Sequence, residues 1–328
     1  MVNFACWVSC RFPVVCAAIV VLTAPWAAGQ NASSDIQSSS PATTVVDLPV
    51  PKLLKAIPEL RGLKPAHDQQ QLSTLLENVG NRVDALFRKM PNLISHEQVL
   101  QSRNGSKATR QEFEYLILSH PTEKDVTLDE YRIDLHDKTL QSDDVLNPAA
   151  ILSGGAAALA DLERRSLEAS SRNKGALPLS QGFANSWIHF YPANRPQASF
   201  RYLGVQNLDG RQTSVIAFAQ TPAAVPSPAE LHFEGQSFPI YYQGIAWVEE
   251  SNSRILKLRT DLLSPLNAVH LQRLTAEVYF GESRIAQNDV LWLPQRVKVT
   301  VAVNGDVFEE QHFYSGYRAY GAETKITY

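Results

Sequence analysis

Val297-Lys298-Val299-Thr300-Val301-Ala302-Val303-Asn304-Gly305-Asp306-Val307-Phe308-Glu309-Glu310-Gln311-His312-Phe313 decides how this chain folds. Valines at every second position, set between polar or small residues, put one apolar and one mixed face on an extended strand. Asn304-Gly305 supplies the left-handed backbone of a two-residue hairpin turn, and the chain runs back through Val307 to Phe313. The same grammar extends in both directions. Phe200-Arg201-Tyr202-Leu203-Gly204-Val205-Gln206 turns at Asp209-Gly210 into Ser214-Val215-Ile216-Ala217-Phe218. Tyr241 to Val248 turns near Asn252 into Ile255 to Arg259, and Leu274 to Phe280 and Leu291-Trp292-Leu293-Pro294 lead back to the opening stretch. From residue 199 to the end the chain reads as strands and turns, a long antiparallel sheet with one apolar face. A sheet of so many strands must curl, close or find a cover.

Earlier in the chain the period changes. Asp68 and Gln71 suit a capping box, and Leu72, Leu75, Leu76, Val79, Val83, Leu86, Phe87 and Met90 recur at helical spacing until Pro91. A long amphipathic helix is expected there. Period two returns around Asn104-Gly105, with Phe113, Tyr115 and Ile117, then Tyr131, Ile133 and Leu135, alternating with other residues. Between about 140 and 196 the strand pattern is interrupted. Asn147-Pro148 suits a helix start, residues 149 to 168 are rich in helix formers, and Phe183, Trp187, Phe190 and Tyr191 lie at helical spacing before Pro192. Such a segment plugs a core or covers a cavity.

The first 29 residues read as a secretory signal. Arg11 is the only charge, an apolar run extends from Phe12 to about Leu22, and Ala27-Ala28-Gly29 supplies small residues for cleavage. All three cysteines, Cys6, Cys10 and Cys16, fall within it, so the mature chain is expected to be exported and to lack disulfides, thiolate metal sites and a cysteine nucleophile. Loss of Arg11 moves the formal net charge from −3 to −4. A mildly acidic balance of interspersed charges disfavours nucleic acid or an anionic membrane as partner, and no later apolar run is long enough to span a bilayer. Residues 30–66, rich in Ser and broken by Pro49, Pro51, Pro58 and Pro65, are expected to be a flexible tether, with Leu53, Leu54, Ile57 and Leu60 able to dock loosely. One domain is expected over 67–328, with a helical insertion at about 140–196.

Catalytic and metal signatures are thin. His96-Glu97 lacks the second histidine of a zinc-protease helix, the other histidines stand singly, and no Gly-x-Ser-x-Gly elbow or glycine-rich phosphate cradle occurs. Ser171 and Lys174 match a Ser-x-x-Lys spacing without its Lys-Thr-Gly companion, and Asp143-Asp144 more simply favours the start of a helix. The expectation is a non-enzyme with no cofactor and no metal. The aromatic residues are more informative. A curved sheet with helices on its concave face leaves a hollow suited to a ligand, and Tyr and Trp suit its lining. The expected lining is Phe113, Tyr115, Ile117, Tyr131, Ile133, Phe200, Tyr202, Phe218, Tyr242, Trp247, Tyr279 and Trp292, with Phe183, Trp187 and Phe190 as a lid.

These pieces resemble the periplasmic lipoprotein-carrier superfamily, which includes the LolA carrier and the RseB/MucB-type sensors. The stretch from Phe200 through Asp209-Gly210-Arg211 to Phe218 is similar to the family's paired strands around a "dGr" turn. Trp247-Val248-Glu249-Glu250-Ser251-Asn252-Ser253-Arg254-Ile255-Leu256-Lys257 is similar to its Trp-led hairpin, and Trp292 to Val299 to its later "lP" strand. The resemblance, over residues 68–328, implies an α+β fold: a strongly curved, unclosed antiparallel half-barrel with helices packed on its concave face. It implies a hollow that takes a lipid, an acyl chain or an acylated ligand, and a periplasmic or secreted location. Arg132 and Arg201 both sit on candidate strands, with no motif to single out either as the arginine that latches the carrier's lid. Two other readings stay open. An envelope sensor or interaction module of the same fold would take a protein partner along a sheet edge such as 307–313. A secreted hydrolase would need a pair of facing carboxylates.

Overall fold

The alternating valines build strand β13 (Val290–Val303), and β14 (Asp306–Ala319) returns against it, with Val299 opposite Glu310 and Val301 opposite Phe308. Asn304 at the tip takes the left-handed conformation expected of it, φ 52°. The computed structural model describes residues 7–10, 43–122, 126–135, 182–183, 186–233 and 236–319. Within them an 11-stranded sheet forms, and every adjacent pair is antiparallel.

The sheet begins at the two-residue β2 (Lys64–Pro65), followed in space by β6 (Ala198–Leu208), β7 (Arg211–Gln220), β10 (Tyr242–Glu249), β11 (Ile255–Leu262) and β12 (Leu271–Arg284). Next come β13 and β14. Beyond β14 lie β3 (Leu93–Arg103), β4 (Thr109–Pro121) and β5 (Val126–Asp134). The first long strands are thus added beyond the last one. β2 and β5 stand at opposite ends and do not pair, so the sheet is unclosed. Register shifts interrupt β6 at Tyr202/Gly204, β10 at Trp247/Val248, β12 at Tyr279/Phe280 and β14 at Ser315/Arg318. Bulges of this kind bend a strand and sharpen its twist, which curves the sheet. β14 lies between β13 and β3, so the 307–313 stretch is interior and offers no edge to a partner.

Residues opposite one another in a ladder share a face. One face carries Ile216, Phe218, Leu258, Val278, Val297, Val299 and Tyr314 in a single apolar cluster, completed by Val79, Val83 and Phe87. Those last three belong to α2 (Leu72–Lys89), the expected amphipathic helix. The expected capping box is absent: Asp68 Oδ1 accepts from the Gln70 amide, and the capping position, Gln71, makes no side-chain bond to the helix. Gln69 is engaged elsewhere, exchanging two hydrogen bonds with the Tyr202 backbone (2.8 and 2.9 Å) along the edge of β6.

Two other expectations change. The Pro-rich stretch after β7 contains a hairpin, β8 (Ala229–Phe233) and β9 (Gln236–Ile240), which with β1 (Trp7–Cys10) makes a separate three-stranded sheet. Instead of an α-helix around Trp187 there are two tight 3-10 turns, Ile188–Phe190 and Pro192–Gln197. Pro192 forces Tyr191 into extended backbone (ψ 131°), which ends the first turn at once. The helix expected over 149–168 lies outside the described residues.

From Thr44 onward the expected tether is docked chain. Pro51 sits in the first turn of α1 (Val50–Ala56), where its missing N–H costs nothing. Leu53, Ile57, Leu60 and Leu63 pack with Leu203, Val215, Ala217, Ile245 and Trp247 on the outer face of the sheet, while Leu54 stays exposed. Arg201 donates to the Val46 and Leu48 carbonyls (3.1 and 2.8 Å), and Gln206 donates to those of Glu59 and Arg61 (2.8 and 3.0 Å). Gly204 (φ +132°) lets β2 approach: a Cβ there would lie 2.0 Å from the Lys64 carbonyl oxygen. Leu53→Ala or Leu60→Ala should therefore cost about 2–5 kcal/mol of unfolding free energy in urea titration. A loss under about 0.5 kcal/mol, normal for an exposed site, would show the strap to be only loosely attached.

Candidate functional site

The inner face has two chemically different halves. Over β6, β7 and β10 to β13 it is apolar and already filled. Phe183, Trp187 and Phe190 are buried against it, joined by ring contacts rather than by a regular element. Trp187 packs on Phe280 (5.3 Å between ring centres) and edge-on to Phe87 (6.0 Å), and Phe190 meets Phe218 (5.6 Å) and Phe200 (5.8 Å). His189, between these side chains, stacks on Phe218 at 4.7 Å and is held neutral by burial, its pKa drawn down to about 4. Gly182 (φ +149°) permits the approach of this plug to the sheet, since a Cβ there would lie 2.1 Å from Tyr115 Oη. Tyr115 Oη in turn accepts the Phe183 amide (3.2 Å).

Over β14, β3, β4 and β5 the same face is polar and ionised. Glu97 receives Arg132 through two nitrogens, Nε at 2.5 Å and a terminal amino group at 2.9 Å. His312 bridges two carboxylates, Nδ1 to Glu97 (2.9 Å) and Nε2 to Glu310 (3.1 Å), and Gln101 donates to Glu310 (2.6 Å). Glu97, Glu310 and His312 are fully buried. Carboxylates offer only acceptors, so both imidazole nitrogens donate and His312 is cationic. Burial alone would lower the His312 pKa, but Glu310 and Glu97 outweigh it and raise it. Burial likewise opposes the charge on Glu97, yet Arg132 and His312 hold its carboxyl far below the usual range. Two anions and two cations cancel one another inside the half-barrel.

Of the residues expected to line a hollow, Tyr115, Ile117, Phe218, Tyr242 and Phe200 pack in or against the inner cluster. Phe113 and Tyr202 share that face by register, opposite Glu97 and Ile216. Trp292 packs against the cluster from the start of β13, between Arg254 and Arg211, with its indole N–H on the Ile255 carbonyl (2.8 Å). Four lie on the opposite face. Tyr131 and Ile133 pair with Leu116 and Glu114, whose side chains alternate with inward Tyr115. Trp247 belongs to the strap cluster and donates to Gln206 (2.9 Å). Tyr279 pairs with Lys257, whose ammonium lies 4.8 Å from its ring and 5.1 Å from that of Trp247. In each case alternation is right and the assigned side is wrong, since a strand's own sequence does not say which apolar face is inner. Of the two candidate arginines, Arg132 joins the buried network and Arg201 holds the strap. The residues missed altogether are Gln101, Glu310 and His312, with Glu97 unrecognised in its role. Their signal was ionisable groups at the inward positions of strands whose other inward residues are apolar.

Glu97→Gln leaves Arg132 and His312 buried without their counter-charge and should cost about 3–5 kcal/mol in denaturant titration. A folded pKa above the unfolded value means that the His312 contribution is complete below about pH 6.5 and is lost as pH rises through the raised value. Thermal melts of the wild type should fall along that alkaline limb, and those of His312→Asn should not.

Neither a search of family models nor one of curated proteins finds a match. Among solved structures, the chain is similar to an outer-membrane lipoprotein-sorting protein domain from Vibrio parahaemolyticus at 13% identity and TM-score 0.38, covering 77% of this chain and 93% of that one. It is similar to a DUF1329 family protein from Desulfovibrio piger at 12% identity and TM-score 0.36, covering 78% and 94%. It is also similar to a LolA superfamily protein from Nitrosomonas europaea at 11% identity and TM-score 0.34, covering 76% and 96%.

Proposed function

We propose that this chain is an exported, non-enzymatic binding protein that holds an acyl chain or similar hydrophobe on its inner face, in the place of its own aromatic plug. The observation that carries this reading is the plug itself. Phe183, Trp187 and Phe190 fill the apolar half of the half-barrel from a segment with only short 3-10 turns. Such a segment can leave without breaking a strand or a long helix. Each methylene that takes its place regains about 0.8 kcal/mol of burial, so plug and ligand exchange over the same surface at small net cost. Among the described residues no cluster of His, Cys, Asp or Glu could hold a metal, and no helix is long and apolar enough to cross a membrane. The signal-like first 29 residues suit release into a periplasm or beyond, where the ligand would be a lipid or an acylated partner.

Trp187→Ala should raise uptake of a fluorescent fatty acid several-fold while leaving the sheet's far-ultraviolet circular dichroism unchanged. Unaltered uptake would show that Trp187 does not guard the surface. His189 adds a pH dependence of definite sign. Its folded pKa lies below the unfolded value of about 6.5, so the plug is fully stable above that pH and weakens as pH falls towards about 4. Uptake should rise over this interval in the wild type and stay flat in His189→Gln.

A further inference from the structure

The polar half of the inner face is more than a balanced set of charges. Ser95 Oγ, Gln111 Oε1, Ser119 Oγ and Tyr314 Oη are buried and have no hydrogen-bond partner among the described residues. All four face inward. Ser95 pairs with Tyr115, Gln111 with Val99 beside Glu97, and Tyr314 with Glu97, while Ser119 alternates with Ile117. Ser95 is 1% exposed and Tyr314 4%. Burial and the Glu97 charge raise the Tyr314 pKa well above its ordinary range, so it keeps its proton. A buried hydroxyl without a partner costs free energy, and satisfied polar groups are the rule in protein interiors.

Resting on the carrier reading, we infer that these strands form a head-group site, and that the ligand is an amphiphile whose neutral, hydroxyl-bearing head, of the acylglycerol type, lies over Ser95 and Tyr314. Its chain runs onto the apolar half between Phe218 and Val297. The neutrality of the head follows from the ion balance beneath it. Glu97 is engaged by Arg132 and His312, and Glu310 by His312 and Gln101. A charged head would add an uncompensated charge to a buried and already neutral cluster. A glycerol ester brings hydroxyls and a carbonyl, which match the serine and tyrosine hydroxyls and the Gln111 carbonyl oxygen.

The test is displacement of a pyrene-labelled alkane from the mature protein by three palmitoyl compounds. 1-Palmitoylglycerol should displace it at about one-tenth the concentration needed for methyl palmitate or palmitoyl-lysophosphatidylglycerol, the gain of one or two net hydrogen bonds. In the Ser95→Ala/Tyr314→Phe double variant that preference should vanish, with alkane binding and melting temperature unchanged because the deleted hydroxyls bond to nothing in the protein. Ser95→Ala alone should reduce the preference by about threefold and serves if the double variant folds poorly. Equal displacement by methyl palmitate, stronger displacement by the phospholipid, or a preference that survives the substitutions would overturn the head-group site and leave the carrier reading intact. Failure of the pyrene alkane to bind would overturn both.

Discussion

An antiparallel sheet whose ends do not meet must have its concave face covered, and the rest of this structure follows from that constraint. Eleven strands curve through bulges in β6, β10, β12 and β14, but β2 and β5 remain apart. A closed barrel would fill itself with side chains from its own strands. Here the strands supply only one side of the core. α2 contributes Val79, Val83 and Phe87, and the segment around Trp187 contributes the aromatic rings. One cover is a regular helix anchored by its own hydrogen bonds. The other is irregular backbone held mainly by ring contacts, and that asymmetry makes it the part able to yield.

The outer face is closed by the opposite strategy. Residues from Thr44 to Pro65 lie along it, tied by Arg201, Gln206 and the short β2 pairing, and sealed by Leu53 and Leu60. Arg259 extends the attachment by an ion pair to Glu59 (2.8 Å) while also gripping Asp261 (2.7 Å). Hydrogen bonds from side chains to strap carbonyls fix its path, which apolar contact alone would not. The Gln69 amide completes the edge by bonding the Tyr202 backbone as a neighbouring strand would, and blunts a strand otherwise open to pairing.

The buried ion network sets the character of the remaining quarter of the sheet. Glu97, Arg132, Glu310 and His312 come from β3, β5 and β14, segments more than two hundred residues apart at their extremes. Replacing such a network by hydrophobic residues is often neutral or stabilising, so stability alone does not explain charges at inward positions. Together with the unpaired hydroxyls nearby they divide a single concave surface into a wet end and a dry end.

Local pattern determined the elements of this protein. The alternating valines of β13, the Asn-Gly and Asp-Gly turns and the stripe of α2 were all legible, because period and turn chemistry are properties of consecutive residues. The prolines misled twice, hiding the β8–β9 hairpin and making the strap look unstructured, although Pro51 is well placed to start a helix. Only the tertiary structure decided sidedness and neighbourhood. Trp247 and Tyr279 obey the same alternation as Phe218 yet face outward, and His312 meets Glu97 only because β14 pairs with β3. A strand's sequence reports that its two faces differ, and which face becomes the inside depends on how the whole sheet curves.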